Sequence, residues 1–371
     1  MKTIALLPAL LLLGACSTAQ KETATTPPSL KDAFADSFLI GAALNTDCTN
    51  GLDPATDSLV SLHFNSIVAE NCMKSEKINP SEGVYEWADA DNFVNYGTER
   101  GMKIIGHTLL WHSQLAPWFP LDSAGNNVTP DVMKQRIANH ISTVMTRYKG
   151  KIHGWDVVNE AILEDGSYRK SPFYEILGEE FIPFAFSCAA AADPDAELYL
   201  NDYSMASPEK RETYLKIIAD LKARGIRIDG IGMQGHMGMD YPDFAEFEKS
   251  IEEYGKAGVG VMITEWDMSA LPTVNQGANV ADTTAFNKFL NPYPDGLPED
   301  IDREWNERMG RMMDMFMRHA DVITRVTAWG TDDSKSWKND WPMKGRTEYP
   351  LLFSRSLTPK PFLNKYLIPS E

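Results

Sequence analysis

Eight short apolar runs, each followed by a longer segment of helical period, succeed one another from about Leu30 onward with no low-complexity break. Alternation of this kind builds a parallel sheet, because parallel neighbours need a crossover helix between them. The expected strands are Leu39 to Leu44, Asn65 to Ala69, Lys103 to Gly106, Ile152 to Val158, Glu197 to Leu200, Gly230 to Met233, Val259 to Thr264 and Ile323 to Ala328. Between them lie expected helices such as Asp131 to Tyr148, Pro172 to Ala192, Pro208 to Arg224 and Arg303 to Ala320. Eight units in a 371-residue chain indicate an α/β protein with a single (β/α)8 barrel, residues 31–371. A doubly wound sheet is the alternative, but it normally shows a Gly-rich phosphate turn after an early strand, and none occurs.

The residues that close these runs carry the functional signal. Asn45, Glu70, Asn71, His107, Asn159, Glu160, Asn201, Asp202, Gln234, His236, Glu265 and Trp329 all fall at or just past an expected strand C-terminus. Purely structural positions there would carry small or turn-forming residues. The C-terminal mouth of a barrel is where its chemistry sits. Glu160 closes the fourth strand and Glu265 the seventh, which places them across the mouth from each other. Two opposed carboxyl groups are the minimum equipment for acid/base work on a glycosidic bond, and their separation distinguishes retention from inversion. His107 and His112 are five residues apart, which suits neither strand nor helix ligand geometry, so no metal and no cofactor is expected.

The first residues read as an address. Met1-Lys2-Thr3 precedes the apolar run Ile4 to Leu13, too short to span a bilayer but suited to a signal-peptide core. Leu13-Gly14-Ala15-Cys16 resembles a bacterial lipobox, which implies cleavage of residues 1–15 and acylation of Cys16. Residues 16–30, rich in Thr, Ser and Pro, read as a flexible tether. The expected setting is an exported, lipid-anchored protein at the cell envelope, assigned to the outer membrane because Ser17 supplies no acidic residue after the cysteine. The formal net charge is −17, or −18 without Lys2, and no basic run or patch interrupts it, which excludes nucleic acid as a partner. Cys48, Cys72 and Cys188 lack metal spacing and read as buried free thiols, with Cys48 and Cys72 the one pair that an export route would allow to join. A monomer is expected.

Seven ordered blocks resemble the glycoside hydrolase family 10 endo-β-1,4-xylanases. They are EN-x-MK at Glu70 to Lys74, GHTLLWHSQ at Gly106 to Gln114, WDVVNEA at Trp155 to Ala161, YLNDY at Tyr199 to Tyr203, IDGIGMQGH at Ile228 to His236, ITEWD at Ile263 to Asp267, and VTAWGTDDSKSW through RTEYPLLF, Val326 to Phe353. The resemblance implies retaining cleavage of xylan or xylooligosaccharides, with Glu160 as acid/base and Glu265 as nucleophile. It also implies that His236 partners Glu265 and that Asn159 donates to the 2-hydroxyl of the attacked sugar. By the same carry-over, Glu70, Asn71 and Lys74 hydrogen-bond the next sugar, His107, Trp111 and Gln114 complete the cleft, and Trp329 and Trp337 form its apolar floor and cover. Tyr203 and Gln234 are expected to line it.

Departures from the family pattern fall where specificity is set. Ser75 and Ser204 stand where an aromatic residue and Asn are common, and Trp266 follows the implied nucleophile where Leu is common. A bulkier Trp266 would reshape the product side if its ring entered the cleft. The segment from Leu271 to about Pro298, with Gly277, is long for its position and is expected to form a rim. Trp87, Trp118, Trp155 and Trp305 read as packing residues, and Met309 to Met317 as a core-facing helix with Asp314 and Arg318 as a surface pair. Two other functions compete: hydrolysis of a β-1,4-glucan on the same scaffold, with Gln114 and Trp337 the walls that would discriminate against glucose, and non-catalytic glycan binding by a lipoprotein.

Overall fold

A computed structural model describes residues 28–273 and 283–368. The leader, Cys16, the tether up to residue 27 and Gly277 lie outside the described residues. Ten strands are present among the described residues: β1 (Leu39–Leu44), β2 (Ser66–Ala69), β3 (Lys103–Gly106), β4 (Leu110–Trp111), β5 (Gly154–Asn159), β6 (Glu197–Asp202), β7 (Gly230–Met233), β8 (His236–Gly238), β9 (Gly260–Ser269) and β10 (Ile323–Ala328). Eight of them close a parallel ring in the order β10-β1-β2-β3-β5-β6-β7-β9, with β9 pairing back onto β10. The fold is a single (β/α)8 barrel. The two short strands β4 and β8 lie at the mouth and pair with β5 and β9.

Side chains alternate across the barrel wall, as the two-residue strand period requires. Ala43, Val68, Ile105, Tyr199 and Met262 point inward and form a small core capped by Trp329. Their neighbours Ile40, Ile67, Ile104, Leu198, Val261 and Ile263 point outward into the larger core beneath the helices.

The helices start where the sequence supplies caps. Thr129 accepts from the Val132 N–H and Pro130 occupies the first turn, so that helix runs Pro130–Arg147. Ser207 and Pro208 do the same for Pro208–Ala223. The single helix expected over Pro172 to Ala192 is two, Pro172–Leu177 and Phe181–Ala192, because Gly178 adopts φ +61 and ends the first. Pro183 falls in the first turn of the second, where its missing N–H leaves no bond unmade. The helix expected from Arg303 begins earlier, at Glu299, with Glu299, Asp300 and Asp302 at its positive end.

Three further sequence expectations change in the structure, and the open question of Trp266 is settled. Ser29 caps a short helix and Leu30 is fully buried, so the folded body begins before residue 31. Strand β9 does not stop at Thr264 but runs to Ser269, carried on by its pairing with β8. The Trp266 ring is buried on the outer face against Phe316 and Phe362, 5.1 and 6.3 Å away, and so does not enter the cleft. Asp314 and Arg318 do not pair; Arg318 reaches Glu248 at 2.8 Å and Asp314 binds Lys365, since both find partners on neighbouring elements. Met309, Met312, Met313 and Met315 are buried as expected, as are Trp155 and Trp305, while Trp87 and Trp118 are half-buried. All three cysteines among the described residues are free thiols; Cys48 and Cys72 are buried and Cys188 partly so.

Candidate active site

Glu160 follows the last residue of β5 in a left-handed conformation, φ +58, that non-glycine residues seldom adopt. Its N–H donates to the Asn201 carbonyl at 2.8 Å, which fastens the turn to β6. The carboxylate accepts from the Trp111 indole N–H at 2.8 Å and from Gln234 Nε2 at 3.2 Å. Gln114 and Ser204 near this site also have positive φ, 45 and 50, as does Leu357 elsewhere in the fold.

Glu265 projects from within β9 toward the barrel axis. Oε1 accepts from Asn201 Nδ2 at 2.7 Å, and Oε2 lies 3.1 Å from His236 Nε2. Thr264 donates to Asn201 Oδ1 at 2.6 Å and orients that amide. Gly232 lies beneath it, where a Cβ would come within 2.2 Å of Asn201 Oδ1, so the amide can sit there only over glycine. The Asn159 side-chain amide lies 2.9 Å from Asn201 Nδ2 and 3.3 Å from Gln234 Nε2, so three amides link the two carboxylates.

A buried chain of alternating charge continues behind Glu265. His236 Nδ1 lies 3.0 Å from Asp267 Oδ1, which pairs with Lys338 at 3.2 Å, while Trp337 Nε1 donates to Asp267 Oδ2 at 2.9 Å. Glu265, Asp267 and Ser269 occupy alternate positions of β9, and Lys338 donates to Ser269 at 3.1 Å.

One wall of the cleft is built around Lys74. Its ammonium donates to Asn71 Oδ1 and Gln114 Oε1, both at 2.9 Å, and lies 4.8 Å from the centre of the Trp111 ring. Glu70 is beside it, partly exposed. His107 bonds Asp156 at 2.9 Å and presents its edge to Trp329, 5.2 Å away. Trp337 stands 5.2 Å from His236 and lies tilted against Trp341, 4.9 Å away. Tyr203 lies behind Glu160 rather than beside it, buried, its hydroxyl accepting from Arg169 at 2.6 Å. Contacts connect these side chains around Glu160 and Glu265 at the mouth of the barrel, with Tyr203 set behind Glu160.

The two carboxyl groups differ electrostatically. Burial pushes Glu160 up to about 7, the negative charge of Asp202 adds to the effect, and the Trp111 and Gln234 bonds only partly offset it. Burial acts on Glu265 in the same direction, but the His236 bond, the nearby His107 and His236 charges and the Asn201 bond together hold it below the ordinary carboxylate range. His236 is pushed up to about 9: burial opposes its charge, and Asp267 and Glu265 outweigh burial. Burial lowers Lys74, against the pull of Glu265, Glu70 and Glu160, and raises Glu70. One carboxyl group that keeps its proton opposite one that stays ionised suits a proton donor facing a nucleophile.

The profile of glycosyl hydrolase family 10 matches residues 29–368. The chain belongs to glycosyl hydrolase family 10. It is 44% identical over 360 residues to an endo-1,4-beta-xylanase A of Xylanibacter ruminicola, covering 96% of each chain. It is 36% identical over 358 residues to a thermostable celloxylanase of Thermoclostridium stercorarium, covering 93% of this chain and 88% of the other. The solved structure of a GH10 endoxylanase from a sugarcane soil metagenome superposes with a TM-score of 0.86 at 40% identity, covering 92% of this chain and 98% of that one.

As a family 10 glycoside hydrolase, the chain contains site residues that the sequence reading did not single out. Asp267, Lys338, Asp156, Thr264 and Arg169 bind the groups that touch the cleft rather than the cleft itself. Asp267 had a usable signal, since it lies two residues after Glu265 on the same strand face. Lys338 and Arg169 had none, because loops bring them in. Among the described residues, no group of three or more His, Cys, Asp and Glu side chains is arranged to hold a metal ion.

Proposed function

We propose that this family 10 enzyme is an endo-β-1,4-xylanase that cleaves xylan with retention of configuration, Glu160 serving as acid/base and Glu265 as nucleophile. The observation that carries the proposal is the contrast between the two carboxyl groups: Glu265 lies within hydrogen-bond distance of His236 and Asn201, which favour its ionised form, whereas Glu160 is buried near the negative charge of Asp202, which favours its protonated form. Glu160 gives its proton to the glycosidic oxygen as the C–O bond breaks, and Glu265 forms a bond to the anomeric carbon. Glu160, now ionised, takes a proton from water, whose oxygen displaces Glu265 and restores both groups. Asn159 is placed to bond the 2-hydroxyl, Trp329 and Trp337 to stack on the reacting sugar, and Glu70, Asn71, Lys74, His107, Trp111, Gln114 and Gln234 to bind hydroxyls around it.

Xylan as the substrate rests on the relatives named xylanases. The relative named a celloxylanase supports a second reading, activity on β-1,4-glucans. Comparing kcat/KM on aryl xylobioside and aryl cellobioside separates the two, and equal values would remove the preference for xylan. The mechanism is tested by following the first product from xylooligosaccharides by proton NMR. An initial β-anomer agrees with double displacement; an initial α-anomer would mean inversion and reassigned roles. The lipobox supports anchoring of the enzyme at the cell envelope through acylated Cys16. Cys16→Ser is then expected to move the protein from the detergent phase to the aqueous phase.

A further inference from the structure

Directly behind the turn that carries Glu160 lies an ion pair sealed from solvent. Asp202 and Lys210 are both fully buried and 2.9 Å apart. Each oxygen of Asp202 has a defined role. Oδ1 takes the Lys210 ammonium and, at 2.8 Å, the Tyr203 N–H. Oδ2 takes the Tyr214 hydroxyl and, at 3.3 Å, the N–H of Ile162, two residues past Glu160. Arg169 fastens the same turn from the other side, donating at 2.9 Å to the Glu160 carbonyl and at 2.6 Å to the Tyr203 hydroxyl. A buried pair of this kind gains little stability over an apolar replacement, so its presence calls for another explanation.

We propose that Asp202 is a positioning residue for the acid/base: it pins the left-handed turn in which Glu160 sits, and its negative charge, held there by Lys210 and Tyr214, sets how readily Glu160 gives up its proton. Every neighbouring element contributes to this balance. On the cleft side Glu160 faces Trp111, Gln234 and Asn159, with Lys74 and Glu265 across the opening. Behind it stand Asp202, Arg169 and Tyr203. Burial raises Asp202 itself, opposed by Lys210 and Tyr214 from the helix Pro208–Ala223 and by Arg169, while Tyr254 from the helix Phe244–Lys256 also faces it. After burial, Asp202 is the strongest influence holding the proton on Glu160.

The inference rests on Glu160 being the acid/base, and the experiment reads its proton without substrate. The full chain is labelled with δ-13C glutamate, and the Glu160 carboxyl resonance is identified by its loss in Glu160→Gln. The wild-type resonance is expected to titrate near 7. Asp202→Asn is expected to lower that midpoint by about one unit. The double variant Asp202→Asn with Lys210→Met leaves no unpaired buried charge, so it gives the same reading if the single variant folds poorly. The alkaline limb of kcat/KM on a xylooligosaccharide should fall with the midpoint, and the rate loss should be greatest for substrates with poor leaving groups. An unmoved midpoint in a folded variant, with kcat lowered equally for all leaving groups, would overturn the proposal and leave Asp202 a structural residue. A wild type that cleaves no xylan while Asp202→Asn still lowers the midpoint would remove the xylanase reading and support the link between Asp202 and Glu160.

Discussion

Trp111 donates its indole N–H to Glu160 Oε2 at 2.8 Å, and this is one of two bonds that restrain the rise in the Glu160 pKa. Trp111→Phe keeps the ring and deletes the donor. The alkaline limb of kcat/KM should therefore move to higher pH, and kcat should fall by about tenfold as the acid becomes weaker and less well aimed. A pH–rate series on one xylooligosaccharide measures both.

Glu160 is costly to the fold when ionised. Its carboxyl is raised from 4.5 to about 7, so folding is unaffected below pH 4.5, where both states hold the proton. Stability is lost as pH rises toward 7, reaching about 3 kcal/mol above it. Glu160→Gln removes this cost. Thermal unfolding should show the variant more stable than wild type at pH 8, with the difference shrinking toward pH 4.5, while turnover of unactivated substrates falls by about 10²- to 10⁴-fold.

His236 acts in the opposite direction. Its imidazole is raised from 6.5 to about 9 by Asp267 and Glu265 against burial, so its contribution to stability is complete below pH 6.5 and is lost as pH passes 9. His236→Asn should reduce stability most at neutral and acid pH and least above 9. It also removes a bond that keeps Glu265 ionised, so the acid limb of kcat/KM should move upward. An unmoved acid limb would count against Glu265 as the group that must be ionised.

Glu265→Ala should lower kcat on xylooligosaccharides by at least about 10⁴-fold. Azide tests its position, because a small anion entering the space left by the carboxylate attacks the anomeric carbon from the nucleophile's face. With an aryl β-xylobioside the rescued product should be the α-azide. In Glu160→Ala, azide should instead displace the glycosyl-enzyme ester and give the β-azide.

Trp266 packs between the barrel wall and the helix Glu299–Arg318, away from the cleft. Trp266→Leu should destabilise the fold by about 2 to 4 kcal/mol through the cavity it leaves. Its kcat and KM on oligosaccharides of any length should stay within about twofold of wild type. Denaturant unfolding and steady-state kinetics together separate the two effects.

Much of this architecture was readable from the chain, and particular residues show why. Leu39–Leu44, Lys103–Gly106, Gly230–Met233 and Ile323–Ala328 appear with the bounds expected of them, because apolar runs buried on both faces have an unambiguous local pattern. Strand β9 outran its expected end because Glu265, Asp267 and Ser269 look like loop polarity until β8 lies beside them. The direction of the Trp266 ring stayed open, and Asp314 was given the wrong partner, for a related reason. Side-chain direction depends on the partner that packs against it, and those partners, Phe316 and Lys365, lie 50 or 51 residues away in sequence.

The sequence by itself determined the strand and helix periods, the placement of polar residues at one end of the barrel, and the presence of two glutamates on strands far enough apart to face each other. All are local properties of the chain. The resemblance implied the two roles, but only the tertiary structure supplied a physical reason for one glutamate to keep its proton. That choice depends on desolvation and on charges acting through space, and these come from Asp202 on β6, His236 on β8, Trp111 on β4 and His107 after β3, which meet only when the ring has closed.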